Sequence, residues 1–235
     1  MTTVFDLAFA IAIIPALLRG LSLTIQATVY GFTLAIVLGF VLFLARSADL
    51  AILSNGARSI VEFIRSTPLL VQLYFAYFGL PNIGITLEPL MAGSLVLGIH
   101  YSCYISEVYR AALQGVAPGQ REAARSLGLS PTQGMRLVII PQMFPLLIPG
   151  LGNYLIALFK ETPALSAITV AEMLFTAKIV GAENFRYLEP MTFSGLAFLI
   201  LSIVCAAGVR LLERRLRWTF EPSGSRALPG RNYRS

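Results

Sequence analysis

The chain has 235 residues, of which 56% are hydrophobic and only 13% charged, with a net charge of +6 and a mean hydropathy of +0.74. Soluble domains average about 25% charged residues, so this chain carries too few charges to cover a water-facing surface. The composition therefore favours an integral membrane protein. One histidine and two cysteines far apart in sequence argue against a disulfide framework and against metal or haem chemistry.

Five intervals without charged residues indicate membrane spans, because crossing a bilayer takes about 20 helical residues. The fourth interval contains several prolines and glycines, which are tolerated where neighbouring helices or a cavity satisfy the freed backbone groups. It is therefore predicted to line the interior of an all-α bundle. The predicted spans are 21–45, 60–80, 89–109, 137–159 and 191–209.

The distribution of basic residues predicts the orientation of these spans. With the N-terminus outside, 14 of the 18 lysines and arginines fall on the inner side, as the positive-inside rule requires. The prediction is five transmembrane helices, N-out and C-in. Residues 1–18 form an outer segment with a short surface helix interrupted by Pro15, and 19–217 form the transmembrane domain. Residues 218–235, rich in Gly, Pro, Ser and Arg, are predicted to be a disordered cytoplasmic tail.

The inner loop 114–136 is the least apolar stretch before the C-terminus, and it predicts two short helices. Pro118 suits the first turn of the first helix, and Gly128 is a plausible stop. A second helix is predicted to begin at Ser130-Pro131, with Gln133 completing a capping box.

This loop carries a recognisable motif. It reads Glu122-Ala123-Ala124, has Gly128 four residues later, and is followed by an apolar element that ends at Pro141. The pattern resembles the EAA loop of binding-protein-dependent ABC importer permeases, which have the MetI-like fold. Four further segments resemble the polar amino-acid branch of that family, and the matches cover most of residues 20–175. They are 62–72, 107–110, 118–120 and 160–162.

The resemblance implies an assembly in the cell inner membrane. Two permease subunits, identical or paralogous, surround a central path, with two cytoplasmic ATPase subunits and an extracytoplasmic solute-binding protein. The EAA loop is then a cytoplasmic coupling helix docked in an ATPase groove, as a short amphipathic helix can be. The residues expected to couple to the ATPase are Gly119, Glu122, Ala123, Ala124, Gly128 and Pro141.

The chain lacks an ATP-hydrolysing motif of its own. Its only lysines are Lys160 and Lys178, and neither follows the glycine that a P-loop requires. We therefore expect a transport subunit rather than an enzyme, with no cofactor or metal bound by this chain. ATP is expected to be used by a separate partner subunit.

Polar residues within and after the spans are candidates for a substrate path. They are Gln72, Tyr74, Tyr101, Asn153, Glu161 and Thr162, with Tyr77, Ser102 and Tyr154 beside them. The related family motif is Lys-Asp-Thr-Ser, where this chain has Lys160-Glu161-Thr162-Pro163. The Glu161 carboxylate could hold an amino group of a solute, or it could pair with Lys160 as an interfacial anchor.

Two further pairs lie one helical turn apart, Glu62 with Arg65 and Glu107 with Arg110, and both are interpreted as structural or gate elements. His100 lies inside a predicted span and is interpreted as a structural or pore-lining residue.

The expected solutes are polar amino acids or similar zwitterions. Segment 184–190 resembles permeases for the compatible solutes ectoine and hydroxyectoine, so composition leaves that class open. An alternative is an ion-coupled secondary transporter of small polar solutes. Such transporters often contain inverted repeats and carboxylates near the membrane midplane. This sequence shows no repeat, and its carboxylates lie at the ends of the spans.

Overall fold

The structure, a computed structural model, describes the backbone of residues 5–220 and the side chains of residues 5–215. The described chain is helical and contains no strand, which confirms the predicted all-α class. Its α-helices are α1 (Leu7–Ala12), α2 (Ile14–Arg46), α3 (Ala51–Ser66), α4 (Leu69–Tyr74), α5 (Pro89–Gly115), α6 (Gly119–Ser126), α7 (Pro131–Gly134), α8 (Ile140–Glu161), α9 (Met173–Asn184) and α10 (Leu188–Phe220). π-helical turns occupy Phe75–Gly79 and Met135–Ile139, and 3₁₀ turns occupy Leu80–Ile83 and Thr162–Ile168.

Three helical segments of the described chain are long and apolar enough to cross a bilayer. They are Ile14–Arg46, Pro131–Ile168 and Leu188–Arg215. A shorter apolar segment spans Leu69–Ile83, and α5 is 27 residues long. A multi-pass membrane protein is therefore supported by length and composition.

Helices α2 and α5 form the centre of the bundle, packed closely through glycines. A Cβ added at Gly39 would lie 2.8 Å from Cγ2 of Ile105 and 3.0 Å from the carbonyl oxygen of Ser102. A Cβ at Gly31 would meet Leu97 at 3.2 Å. Small residues let two helix backbones approach closely where lipid provides no hydrophobic drive for association. Because residues 31 and 39 meet residues 97 and 105 in the same order, α2 and α5 run parallel.

Helices α8 and α10 complete the bundle. Gly150 of α8 faces Val108 of α5, and Gly152 faces Val209 of α10. Helix α8 runs antiparallel to α5 and α10. The two ends of the bundle differ in the short helices that lie there. We call them the α6 end, where α2 and α5 finish, and the α9 end, where α2, α5 and α10 begin.

The predicted span 60–80 is wrong as a single helix. Helix α3 ends at Ser66, Thr67 is extended (φ −101°, ψ 131°) and α4 begins after Pro68. Proline has no N–H and disfavours helical geometry in the residue before it, which explains the break. A side chain bridges the break: Nε2 of Gln72 donates to the carbonyl oxygens of Ile64 (2.8 Å) and Thr67 (3.0 Å).

Two predicted boundaries lie elsewhere in the structure. Helix α2 begins at Ile14 with Pro15 in its first turn, so the boundary after residue 18 falls inside α2. Helix α10 runs to Phe220, beyond the predicted domain end at residue 217. The rest of the predicted tail, 221–235, lies outside the described residues.

Residues 166–180 belong to two elements rather than to one helix. The 3₁₀ turn ends at Ile168, Thr169 adopts a left-handed conformation (φ 66°), and α9 begins at Met173. Glu172 is fully buried and caps α9, its carboxylate accepting from the N–H groups of Leu174 and Phe175. Burial raises the pKa of Glu172, and the two backbone hydrogen bonds oppose this shift.

Candidate functional site

The motif loop forms the two short helices predicted from its sequence. Helix α6 ends at Ser126, and Gly128 follows with φ +75°, a left-handed conformation that glycine adopts without strain. The N–H of Gly128 donates to the carbonyl of Arg125. The capping box of Ser130 and Gln133 is present at the start of α7. The predicted end of the first helix and the predicted start of the second are therefore both confirmed.

The residues expected to couple to an ATPase do not all lie on one surface. Gly119, Glu122 and Ala123 are exposed. Ala124 is 4% exposed and packs against Gly134 of α7. Both motif alanines were expected to contact the ATPase. In the structure only Ala123 is exposed to a partner, because Ala124 packs inside the loop. Pro141 is partly buried in the first turn of α8.

A side-chain contact joins α6 to α8. Nε2 of Gln142 lies 3.1 Å from Oε1 of Gln120 and 3.0 Å from the carbonyl oxygen of Val138. The amide of Gln142 thus connects the motif helix directly to the proline-containing helix of the bundle. A displacement of α6 can pass to α8 through this contact.

The α6 end of the bundle contains a network of three charged side chains. Glu107 binds Arg46 through Oε1 and Arg110 through Oε2, each at 2.6 Å. The predicted pairing of Glu107 with Arg110 is confirmed. Glu62 and Arg65, the other two residues one helical turn apart, form no ion pair, because their charged groups do not come within 4 Å in the part of the chain that the structure describes.

Three tyrosines from α5 and α8 meet inside the bundle, and we call Tyr101, Tyr104 and Tyr154 the tyrosine cluster. The ring centroids of Tyr101 and Tyr104 lie 6.3 and 5.7 Å from that of Tyr154, and 6.1 Å from each other. His100 stacks beside them, 5.5 Å from Tyr101 and 5.3 Å from Tyr104. These spacings are within the range of favourable ring–ring contacts.

An arginine covers the tyrosine cluster, and a glutamate lies further along one of its helices. The guanidinium carbon of Arg65 lies 4.9 Å from the ring centroid of Tyr104. Glu161 is the last residue of α8 and follows Tyr154 by seven residues, which is about two helical turns along the same helix face. No ion pair between Lys160 and Glu161 is found within the described residues. Glu161 is exposed. Its carboxylate does not form the ion pair with Lys160 that the alternative interpretation expected.

The other predicted path residues are dispersed. Gln72 contacts Nδ1 of His100 at 3.3 Å and so reaches the edge of the cluster. Tyr74 faces Phe78 instead. Asn153 is exposed on α8. Thr162 is fully buried, with its hydroxyl donating to the carbonyl of Phe159.

Sequence reasoning missed Tyr104 and interpreted Arg65 as part of a structural or gate element rather than as a neighbour of the path. The spacing of three residues between Tyr101 and Tyr104 places both on one helix face, and that signal was available. The contact of Arg65 with Tyr104 depends on how α3 packs against α5, which hydropathy does not reveal.

Comparison with known proteins identifies the family. Residues 31–218 match the family described as binding-protein-dependent transport system inner membrane component. The chain belongs to this family. Its members are transport subunits without enzymatic activity, and the ATPase is a separate chain.

Two curated relatives cover nearly the same length as this permease. The probable amino-acid ABC transporter permease protein y4tG of Sinorhizobium fredii is 48% identical, over 90% of this chain and 91% of its own length. The glutamine transport system permease protein GlnP of Escherichia coli K12 is 34% identical, over 91% of this chain and 98% of its own.

A solved structure shares the fold of the permease. A chain from the crystal structure of an amino acid ABC transporter with histidines superposes with a TM-score of 0.85 at 35% identity. The match covers 92% of the permease and all of the other chain. The all-helical MetI-like fold implied by the motif is thereby confirmed.

Proposed function

We propose that this permease subunit forms the translocation path of an ABC importer for polar amino acids or similar small zwitterions. The observation that carries the proposal is the tyrosine cluster, with the Arg65 guanidinium against Tyr104 and the Glu161 carboxylate about two helical turns after Tyr154 on α8. The names of the two curated relatives, one for amino acids and one for glutamine, support the same solute class.

The chemistry of the cluster suits an ammonium group. Tyrosine faces attract cations through the ring quadrupole, and the attraction grows when the site excludes water. A carboxylate beside the rings adds a charge-assisted hydrogen bond. We therefore assign Tyr101, Tyr104, Tyr154 and Glu161 to the path, with Gln72 at its edge. The positions of Tyr74, Asn153 and Thr162 give these residues no comparable support.

The family implies the rest of the assembly. The permease pairs with a second permease subunit, receives solute from an extracytoplasmic binding protein and is driven by cytoplasmic ATPase subunits. In this arrangement the exposed face of α6, with Gly119, Glu122 and Ala123, docks on the ATPase. Gly128 ends the docking helix, and Gln142 passes its movement to α8. ATP is used by the partner, and no cofactor is assigned to this chain.

The proposed topology is five spans in the inner membrane, with the N-terminus outside and the C-terminus inside. Thiol labelling of single cysteines in a background without Cys103 and Cys205 tests it. Leu7→Cys, Ile83→Cys and Phe185→Cys replace residues at least 67% exposed and should react with an impermeant reagent added outside. Leu50→Cys and Leu127→Cys should react only from inside. The opposite labelling of any position contradicts five spans in this orientation.

The function is tested by reconstituting the permease with its ATPase and binding protein in proteoliposomes. We expect ATP-dependent uptake of labelled L-glutamine or L-arginine. Uptake of ectoine alone would move the permease to the compatible-solute class suggested by segment 184–190. Uptake driven by an ion gradient without ATP would support the secondary-transporter alternative instead.

Glu161→Gln probes the path in the same assay. If Glu161 contacts the solute, the variant should take up cationic and zwitterionic solutes more slowly, with unchanged assembly and basal ATP hydrolysis. Wild-type uptake would remove Glu161 from the path. Lys160→Gln is the matched control, because it alters the neighbouring charge without touching the carboxylate.

A further inference from the structure

A cavity at the α6 end contains more positive than negative charge. It has a volume of about 510 Å³, and its lining includes three arginines, two glutamates and a tyrosine beside Val61 and Ser66: Arg46, Arg58, Arg65, Glu62, Glu107 and Tyr104. The Arg46 guanidinium is engaged by Glu107 at 2.6 Å. The cavity therefore retains positive charge after its one ion pair is formed.

Arg65, like Arg58, has no ion-pair partner within the described residues, but its guanidinium is held against an aromatic ring. Within the described residues no carboxylate lies within 4 Å of its guanidinium. Its guanidinium carbon instead lies 4.9 Å from the ring centroid of Tyr104, and the residue is exposed. Contact through the guanidinium carbon orients the group against the ring while leaving its N–H donors for another partner.

The free donors suit one class of ligand. A guanidinium presents its N–H groups as a planar fork that matches the two oxygens of a carboxylate. Arg46 already forms such a charge-assisted contact with Glu107 in the same cavity. Arg65 has the same donors without the internal carboxylate, so a carboxylate from elsewhere can occupy them.

The location of Arg65 connects the cavity to the proposed path. Tyr104, which holds Arg65, is also a member of the tyrosine cluster and lies 5.7 Å from Tyr154. A solute leaving the cluster toward the α6 end therefore meets Arg65 next. We propose that Arg65 binds the carboxylate group of the transported solute at this end of the path. The inference rests on the proposed function, since it assumes that the cluster lies on the path.

The test compares binding of an amino acid with binding of its carboxamide. The permease–ATPase complex is purified without the binding protein, and affinities for L-glutamine, L-glutaminamide, L-arginine and L-argininamide are measured by competition with labelled L-glutamine or L-arginine. The wild type should prefer each acid over its amide at least about ten-fold, as expected for a charge-assisted contact. In Arg65→Gln this preference should fall to about one. Arg65→Lys should give an intermediate value, because it keeps the charge but not the fork.

The control is Arg210→Gln, which removes an exposed arginine of α10 that does not line the cavity. It should keep the wild-type preference. Since acid and amide are measured on the same preparation, partial misfolding lowers both affinities and leaves their ratio unchanged. An Arg65→Gln complex that still prefers the acid ten-fold, or a wild type with no preference, overturns the inference.

Failure of this inference is distinguishable from failure of the proposed function. If the complete wild-type importer takes up amino acids while Arg65→Gln retains the acid preference, only the role of Arg65 is refuted. If the complete importer takes up no amino acid, the proposed solute class is refuted together with the inference.

Discussion

Nη2 of Arg46 lies 2.6 Å from Oε1 of Glu107, joining the last residue of α2 to α5 across 61 positions of sequence. The two side chains are 16% and 25% exposed, and Arg110 binds the other carboxylate oxygen. We expect Glu107→Gln to lower the free energy of unfolding by about 1–3 kcal/mol, because it leaves the partly buried Arg46 without its counter-charge. Thermal unfolding of the purified permease measures this. Glu62→Gln, which breaks no ion pair, should leave the midpoint unchanged, and equal midpoints for all three proteins would contradict the prediction.

The approach of α2 to α5 predicts the effect of one methyl group. In Gly39→Ala the new Cβ would lie 3.0 Å from the carbonyl oxygen of Ser102, a backbone atom that cannot rotate away. The two helices must then separate, and we expect a loss of about 1–3 kcal/mol. Gly208→Ala is the control, because nothing lies within 4 Å of its added Cβ. A Gly39→Ala protein as heat-stable as the control would argue against this close approach.

The end of α6 predicts an uncoupled variant. Gly128 has φ +75°, which a β-branched residue adopts only with strain of about 1–3 kcal/mol. Gly128→Val should therefore insert normally but lose ATP hydrolysis stimulated by the loaded binding protein. Gly56→Val, at an open helical position in α3, is the matched control and should keep stimulation. Normal coupling in Gly128→Val would remove this turn from the ATPase interface.

The ring of Tyr104 is predicted to matter for its face rather than for its hydroxyl group. Tyr104→Phe keeps the surface that Arg65 covers, whereas Tyr104→Leu removes it. Uptake of a zwitterionic amino acid should therefore fall at least about five-fold in the leucine variant, corresponding to a lost cation–π contact of about 1 kcal/mol. The phenylalanine variant should stay close to wild type. Equal losses in both variants would indicate that the hydroxyl is the important group.

Buried Glu172 predicts a pH effect on stability. Because burial raises its pKa in the folded state, the folded protein holds this proton more tightly than the unfolded chain does. Its stabilising contribution is present below the unfolded pKa of about 4.3 and is lost as pH rises through the raised folded value. Glu172→Gln has no ionisable group at this position. The unfolding free energy of the wild type, relative to that of the variant, should therefore fall as pH rises from 4 to 7. A difference that grows with pH would show that the two N–H bonds dominate instead.

The sequence predicted where helices occur better than it predicted where a helix breaks. Uncharged intervals locate the helical segments because bilayer crossing depends on composition and length. The break at Pro68 was not predicted, because the hydropathy of an apolar segment is the same whether the helix is continuous or broken. The short loop helices were predicted closely because their terminators, Gly128 and Ser130, act locally.

The site was predicted less completely, for reasons of long-range packing. Tyr101 and Tyr154 were candidates as polar residues within spans, but their contact depends on how α5 packs on α8. The inward position of Ala124 depends on the fold of α7 against α6, which the motif does not specify. Thr162 was a candidate because of its hydroxyl group, but that hydroxyl donates to the carbonyl of Phe159 in the last turn of α8.

Gln72 has a consequence for how the path can open. Its amide nitrogen serves two carbonyls at the break between α3 and α4, and its amide oxygen meets His100 of α5. One carboxamide therefore ties the angle of the break to the position of a third helix. If α5 shifts relative to α3 and α4, either a hydrogen bond to this amide is lost in a low-dielectric interior or all three helices travel together. A concerted movement of α3, α4 and α5 therefore keeps every contact of this carboxamide, whereas a movement of α5 alone breaks the contact between Gln72 and His100.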